Sequence, residues 1–327
     1  MDRSIRVEKK CRLLSVVILV LITGARAVSF GTALSAARKP ATPSRKTTQK
    51  VIPRVPDAVG FREVPGRGLL VRTWVNGAGP FTFAIDTGAG ATLLSQVVAD
   101  EARVRISSGR ATSIAGLSGS AVAAHEASVE SLAVGESENY LPAKGAVIVT
   151  GGLPRDVDGV LDPTEAFSPL GYVIDLPRHE LAAFDPRENP VRLNQPPAEG
   201  TVVTWLRESH GRRPFVMLDN GDRALLDTGS SLGFAVKENA RGNGQNNSDY
   251  SVRDVGGGRV SARRGTPATI SIGSLTLRRI PTDIISGAET DAPVLLGLSA
   301  LRPFRLRFDP VHRLIEIAPV SIDRGRN

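Results

Sequence analysis

The chain is short of several residue types that define common classes of protein. It has one cysteine, two tryptophans, three tyrosines and four histidines in 327 residues, and aromatic residues make up only 5%. A single cysteine, Cys11, excludes a disulfide framework and any cysteine-based zinc site. His125, His179, His210 and His312 are scattered without the spacing of metal ligands, so no metal site is expected. No glycine-rich loop carries the lysine of a phosphate cradle, and no cofactor is expected. Sustained helical periodicity is also missing. Instead, 33 Gly and 22 Pro interrupt short apolar runs, which excludes a helical bundle and favours many short strands joined by turns.

The net charge of +8 and the pI near 10.1 suggest an acidic partner until the charges are located. Arg3, Arg6, Lys9, Lys10, Arg12 and Arg26 face only Asp2 and Glu8 in residues 1–27. Arg38, Lys39, Arg45, Lys46, Lys50 and Arg54 follow in residues 28–56 with no acid at all. The rest of the chain is therefore slightly negative, and a body without a positive field is not expected to bind nucleic acid.

The first 27 residues have the layout of a secretory signal peptide. A basic start ends at Arg12, an apolar run covers Leu13 to Ile22, and Ala25-Arg26-Ala27 supplies small residues around a cleavage point. The run is shorter than the roughly 20 residues that a helix needs to cross a bilayer. Export, to a periplasm or outside the cell, is the expectation. An uncleaved segment anchoring the protein to a membrane is the alternative, and otherwise no membrane contact is expected. Residues 28–56, rich in Ala, Ser, Thr, Pro and Lys/Arg, have too little apolar content to order themselves. They read either as a solvated linker or as a pro-segment masking an acidic cleft.

The body contains a pattern written twice. Thr73-Trp74-Val75 and Pro80-Phe81, then Ala84-Ile85-Asp86-Thr87-Gly88-Ala89, are matched by Thr204-Trp205-Leu206 and Pro214-Phe215, then Leu225-Leu226-Asp227-Thr228-Gly229-Ser230. The second copy is longer by a stretch whose Asn220-Gly221 reads as a tight hairpin turn. Later stations agree in order: Ala133-Val134-Gly135 with Ser271-Ile272-Gly273, Val160-Leu161 with Leu295-Leu296, and Val173-Ile174-Asp175 with Arg307-Phe308-Asp309. Proline-rich residues 187–200 read as a connector. Two β-rich lobes are thus expected, residues 57–190 and 200–320.

With these residues the chain resembles the aspartic peptidase family over about residues 65–318, pepsin-like in having two lobes and retropepsin-like in the compactness of each. The resemblance implies an all-β fold of two similar barrel-like lobes around a central cleft, with Asp86 and Asp227 facing each other across it as the catalytic pair. It also implies that the hydroxyls of Thr87 and Thr228 cross-link the two loops. Two carboxylates about 3 Å apart at an effective dielectric near 20 repel by roughly 5 kcal/mol, so one proton is shared. A general base and a general acid then coexist, suited to hydrolysing a peptide bond with water. Gly88 and Gly229 lack a Cβ and let the turns approach. The partner so implied is a peptide or protein substrate, held as an extended strand.

Three features depart from the family pattern or tune it. Asp162 stands where the resemblance calls for glycine, a place that Gly297 fills in the second copy. The expected first flap, residues 114–124, has glycines such as Gly116 and Gly119 and no tyrosine, and its counterpart, residues 255–260, contains Gly257. Ser230 is expected to offer its hydroxyl to Asp227 where Ala89 has none for Asp86; the resemblance ties a hydroxyl here to a more acidic working pH and alanine to a less acidic one, which implies roughly 4 to 6 for a chain with one of each. Asp162 and the plain flap leave open a bilobal peptide- or glycan-binding module without catalysis, or an oligomerisation scaffold.

Overall fold

The computed structural model describes residues 54–320 apart from 110, 144, 209–210, 239–248 and 290, together with two short strands, Ser15–Val16 and Leu21–Ile22. The rest of the leader, nearly all of the basic segment and most of the polar loop at 242–249 lie outside the described residues.

The protein is all-β with two lobes, and each copy of the sequence pattern builds the same arrangement. In the first, Gly68–Val75 and Ala78–Ile85 form a hairpin whose turn residues Asn76 and Gly77 both have positive φ, as the favoured two-residue turn requires. Ala78–Ile85 then pairs in parallel with Gly159–Leu161, which pairs antiparallel with Leu93–Ser95. In the second, Phe215–Met217 and Arg223–Asp227 form the hairpin around Asn220-Gly221, with Gly221 at φ 87°. Arg223–Asp227 pairs in parallel with Val294–Gly297, which pairs antiparallel with Phe234–Lys237. The strands leading to Asp86 and Asp227 are near-continuous apolar runs, as strands buried on both faces must be.

A six-stranded sheet draws on both copies. Gly171–Asp175 from the first pairs antiparallel with Phe304–Asp309 from the second, and Glu180–Phe184 and Leu314–Pro319 extend it on either side. Across this seam Tyr172 stacks on Phe308 with ring centroids 4.6 Å apart, and Trp205 meets Phe308 edge-on at 6.0 Å. One cluster of buried apolar residues accordingly runs through both lobes.

Phe308 thus joins the lobes through packing as well as through backbone pairing. Phe308→Ala is expected to cost about 3–5 kcal/mol and to shift the unfolding midpoint of both halves together. The two tryptophans provide the check, because Trp74 reports on the first copy and Trp205 on the second. Separate midpoints in single-tryptophan variants would show that the seam does not couple them.

Candidate active site

Ala78–Ile85 and Arg223–Asp227 end at the centre of the molecule and deliver Asp86 and Asp227, both completely buried. Asp86 N–H donates to Leu161 C=O at 3.0 Å, which fixes the end of the first strand. The turns that follow are tied together by four reciprocal bonds. Thr87 Oγ1 donates to Leu226 C=O at 2.6 Å and accepts from Thr228 N–H at 3.1 Å. Thr228 Oγ1 donates to Ile85 C=O at 3.1 Å and accepts from Thr87 N–H at 3.1 Å. The glycines make this approach possible. A Cβ on Gly88 would lie 2.9 Å from Asp227 Cγ, and one on Gly229 would lie 2.3 Å from Asp86 Cγ.

The two carboxyls face each other, and Oδ2 of each is buried with no donor from the surrounding protein. Their other oxygens are held unequally. Asp86 Oδ1 accepts from Gly88 N–H at 2.7 Å, whereas Asp227 Oδ1 accepts from both Gly229 N–H at 2.9 Å and Ser230 N–H at 3.1 Å. Burial raises Asp86 far above the ordinary aspartate value, and the neighbouring charge of Asp227 raises it further. Burial also raises Asp227, to about 6, but a hydrogen bond from Asp86, the Gly229 and Ser230 N–H groups and the positive charge of Arg213 restrain it. The pair therefore holds one proton over a wide range, with Asp227 the first to ionise.

Two sequence expectations change here. The bond from Ser230 to Asp227 comes from its backbone N–H, while its hydroxyl accepts from Leu232 N–H at 3.3 Å. The side chain at this position is thus not what separates the two aspartates; the backbone of the turn is. Asp162 does not disrupt the geometry behind Asp86. Its carboxylate accepts from Thr164 N–H at 2.9 Å and caps the short helix Pro163–Ala166. Burial and the charge of Glu165 raise Asp162 to about 7.

The expected flaps are both hairpins of one design. Thr112–Ala115 and Ala121–Val129 enclose a turn in which Gly116 N–H donates to Ser120 C=O, Gly119 N–H donates to Gly116 C=O, and Gly119 has φ +73°. Tyr250–Arg253 and Arg259–Arg264 enclose the matching turn, with Asp254 N–H to Gly258 C=O, Gly257 N–H to Asp254 C=O, and Gly257 at φ +79°. Gly119 and Gly257 are therefore equivalent, each supplying the left-handed conformation that an L side chain resists. The tips pack beside the aspartate turns. Leu117 is buried in a cluster with Leu225 and Leu232, and Val255 in one with Leu70, Ala89 and Leu93. Sequence reasoning missed Asp254 and Arg213; the only local signal for Asp254 was an acid immediately before the Val-Gly-Gly-Gly of the second flap.

A family model described as aspartyl protease matches residues 71–161 and 220–300, more than half of the chain and both aspartate turns. The chain belongs to the aspartyl protease family. No curated protein matches it.

The reciprocal threonine bonds predict different outcomes for two substitutions. Thr87→Val removes the hydroxyl and leaves Thr228 N–H and Leu226 C=O unpaired in a buried place, a cost of about 2–4 kcal/mol. Thr87→Ser keeps the bonds and should stay within about 1 kcal/mol. Urea midpoints of the two variants check this, and equal losses would mean that the lost methyl packing matters more than the bonds.

Burial of the pair also predicts a pH dependence of stability. A folded-state pKa above the unfolded one stabilises the fold at low pH, and that contribution is lost as pH rises through the folded value. Asp227 moves from an ordinary 3.8 to about 6, so Asp227→Asn should gain up to about 3 kcal/mol over wild type at pH 8 and little at pH 4. Urea unfolding at both values measures it. A gain of the same size at pH 4 would exclude ionisation as the cause.

Proposed function

We propose that the protein is an exported aspartic endopeptidase that hydrolyses peptide bonds with a water activated between Asp86 and Asp227. The observation that carries the reading is the buried, face-to-face carboxyl pair with unequal backbone support. Ionised Asp227 draws a proton from the water as its oxygen attacks the peptide carbonyl carbon, and protonated Asp86 gives its proton to the carbonyl oxygen. The tetrahedral diol then collapses. Asp227 returns its proton to the departing nitrogen, the C–N bond breaks, and Asp86 recovers a proton from the diol hydroxyl. Each cycle consumes one water and leaves both carboxyls as they began.

The flap edges support an extended substrate. Leu21–Ile22 adds antiparallel to Ala115 and Ile114 on the first flap, and Ser15–Val16 adds parallel to Val252 and Arg253 on the second. Both hairpins thus accept another strand through backbone hydrogen bonds, the mode by which an extended peptide is held with little regard for its sequence. Export is supported by the basic start, short apolar run and small residues of the leader. Asp162, one of the two features that spoke for an inactive binding module beside the plain flap, has a structural task as a helix cap, and the family match speaks for a protease rather than for that alternative.

A mixed peptide library digested over a range of pH tests the reading. Asp86→Asn and Asp227→Asn should each abolish cleavage with the fold retained, because an amide cannot exchange the shared proton. The acidic limb of kcat/KM should lie near 6, following Asp227, which places the optimum above 6 and so above the working range of roughly 4 to 6 expected from the sequence. Near-wild-type turnover in either variant would sink the peptidase assignment.

A further inference from the structure

The two flap turns are equivalent residue by residue, yet one position differs sharply. Gly116 opens the first turn and Asp254 the second. Asp254 is 3% exposed, and its carboxylate reaches across to the other hairpin. Oδ2 accepts from Ser118 N–H of the first flap at 2.7 Å, while Oδ1 accepts from Gly258 N–H of its own turn at 3.0 Å. Around this bond the tips interlock. Leu117 is buried among residues of the second lobe and Val255 among residues of the first, and Glu289 N–H donates to Leu117 C=O at 3.2 Å. A Cβ on Gly256 would lie 1.8 Å from Ser120 O.

We propose that Asp254 is a positioning residue, a latch that holds the two flaps closed over a bound peptide. The inference rests on the peptidase reading for what the flaps enclose. A buried carboxyl whose two oxygens each accept from a backbone N–H, one on each hairpin, bridges the two turns. Releasing Ser118 leaves one carboxylate oxygen without its partner, so the bond favours closure. Only one of the two equivalent positions can carry such a group. A Cβ on Gly116 would lie 2.2 Å from Asp254 Cγ, so an acid on both turns would collide as well as repel. Divergence at this pair is therefore what a one-sided latch requires. Closure by the latch slows the departure of peptide without touching the reacting atoms.

The test uses the full chain with Cys11→Ser and nitroxide labels on cysteines replacing Ala123 and Ser261, exposed positions on the two hairpins. Wild type should give one narrow distance distribution. Asp254→Asn, close in shape, and Asp254→Gly, which installs the residue of the equivalent turn, should each add a longer population. A statine-containing peptide inhibitor should dissociate from both variants roughly tenfold faster, the upper size expected for losing one buried hydrogen bond. On a cleaved library peptide, KM should rise by a similar factor while kcat stays within about twofold. Gly116→Ala should open the flaps when Asp254 is present and add nothing further in Asp254→Gly, a coupling expected only of groups in contact. Unchanged distances and inhibitor dissociation in both Asp254 variants would overturn the latch. So would a loss of thermal stability with no change in either. The distance measurement needs no turnover, so it decides the latch even if the Asp86 and Asp227 variants reject the peptidase reading.

Discussion

Thr87 and Thr228 each use one hydroxyl twice, donating to a strand carbonyl of the other lobe and accepting from the N–H of the other threonine. A hydroxyl has one proton and free lone pairs, so this double role is complete only when both turns are in contact. The rest of the centre follows from that contact. The aspartate before each threonine is carried to the seam, the glycine after it must lack a Cβ because the opposing carboxyl fills the space, and water is displaced from two groups that ordinarily ionise in it. The raised carboxyls are thus a consequence of the threonine bonds as much as of the aspartates themselves.

A perfectly repeated scaffold would give two identical aspartates, between which a shared proton would have no preferred side. The difference arises in small departures from the repeat. The second turn supplies two N–H groups to its carboxylate where the first supplies one, and Arg213 adds positive charge near Asp227 alone. On the other side, Asp162, in the place that Gly297 occupies in the second copy, raises Asp86 further once it ionises. Each departure is minor, and all act in one direction: the proton stays with Asp86.

The repeat was legible because the Asp-Thr-Gly triplets, their apolar approach strands and Asn220-Gly221 depend on local chemistry that any sequence displays. The all-β class followed from the same short runs and turns. What stayed hidden involved direction or distance. Sequence lists the hydroxyl of Ser230 as a donor but does not show that it faces Leu232 N–H while the backbone serves Asp227. Asp162 looked like a defect because a cap is defined by the helix it begins. Asp254 was invisible as a flap contact because its partner Ser118 lies 136 residues away. The division into two units also concealed the six-stranded sheet, whose central pair takes one strand from each copy.

The connections between the lobes differ in how much must be lost to break them. Separating the shared sheet would break a full strand pairing and expose the stacked Tyr172, Phe308 and Trp205 rings. Parting the aspartate turns would orphan four buried hydrogen bonds at once, each leaving groups that are costly to strand away from water. Among the described residues the flap tips are held by less: the Asp254 bond to Ser118, the Glu289 bond to Leu117, and two aliphatic side chains in borrowed pockets. On the peptidase reading proposed above, motion that admits a peptide is expected of the hairpins, while the lobes keep their relative position and the aspartate pair stays assembled. The hairpins with the weakest hold are also the ones whose edges pair with an added strand, so on that reading binding and opening would act on the same few residues.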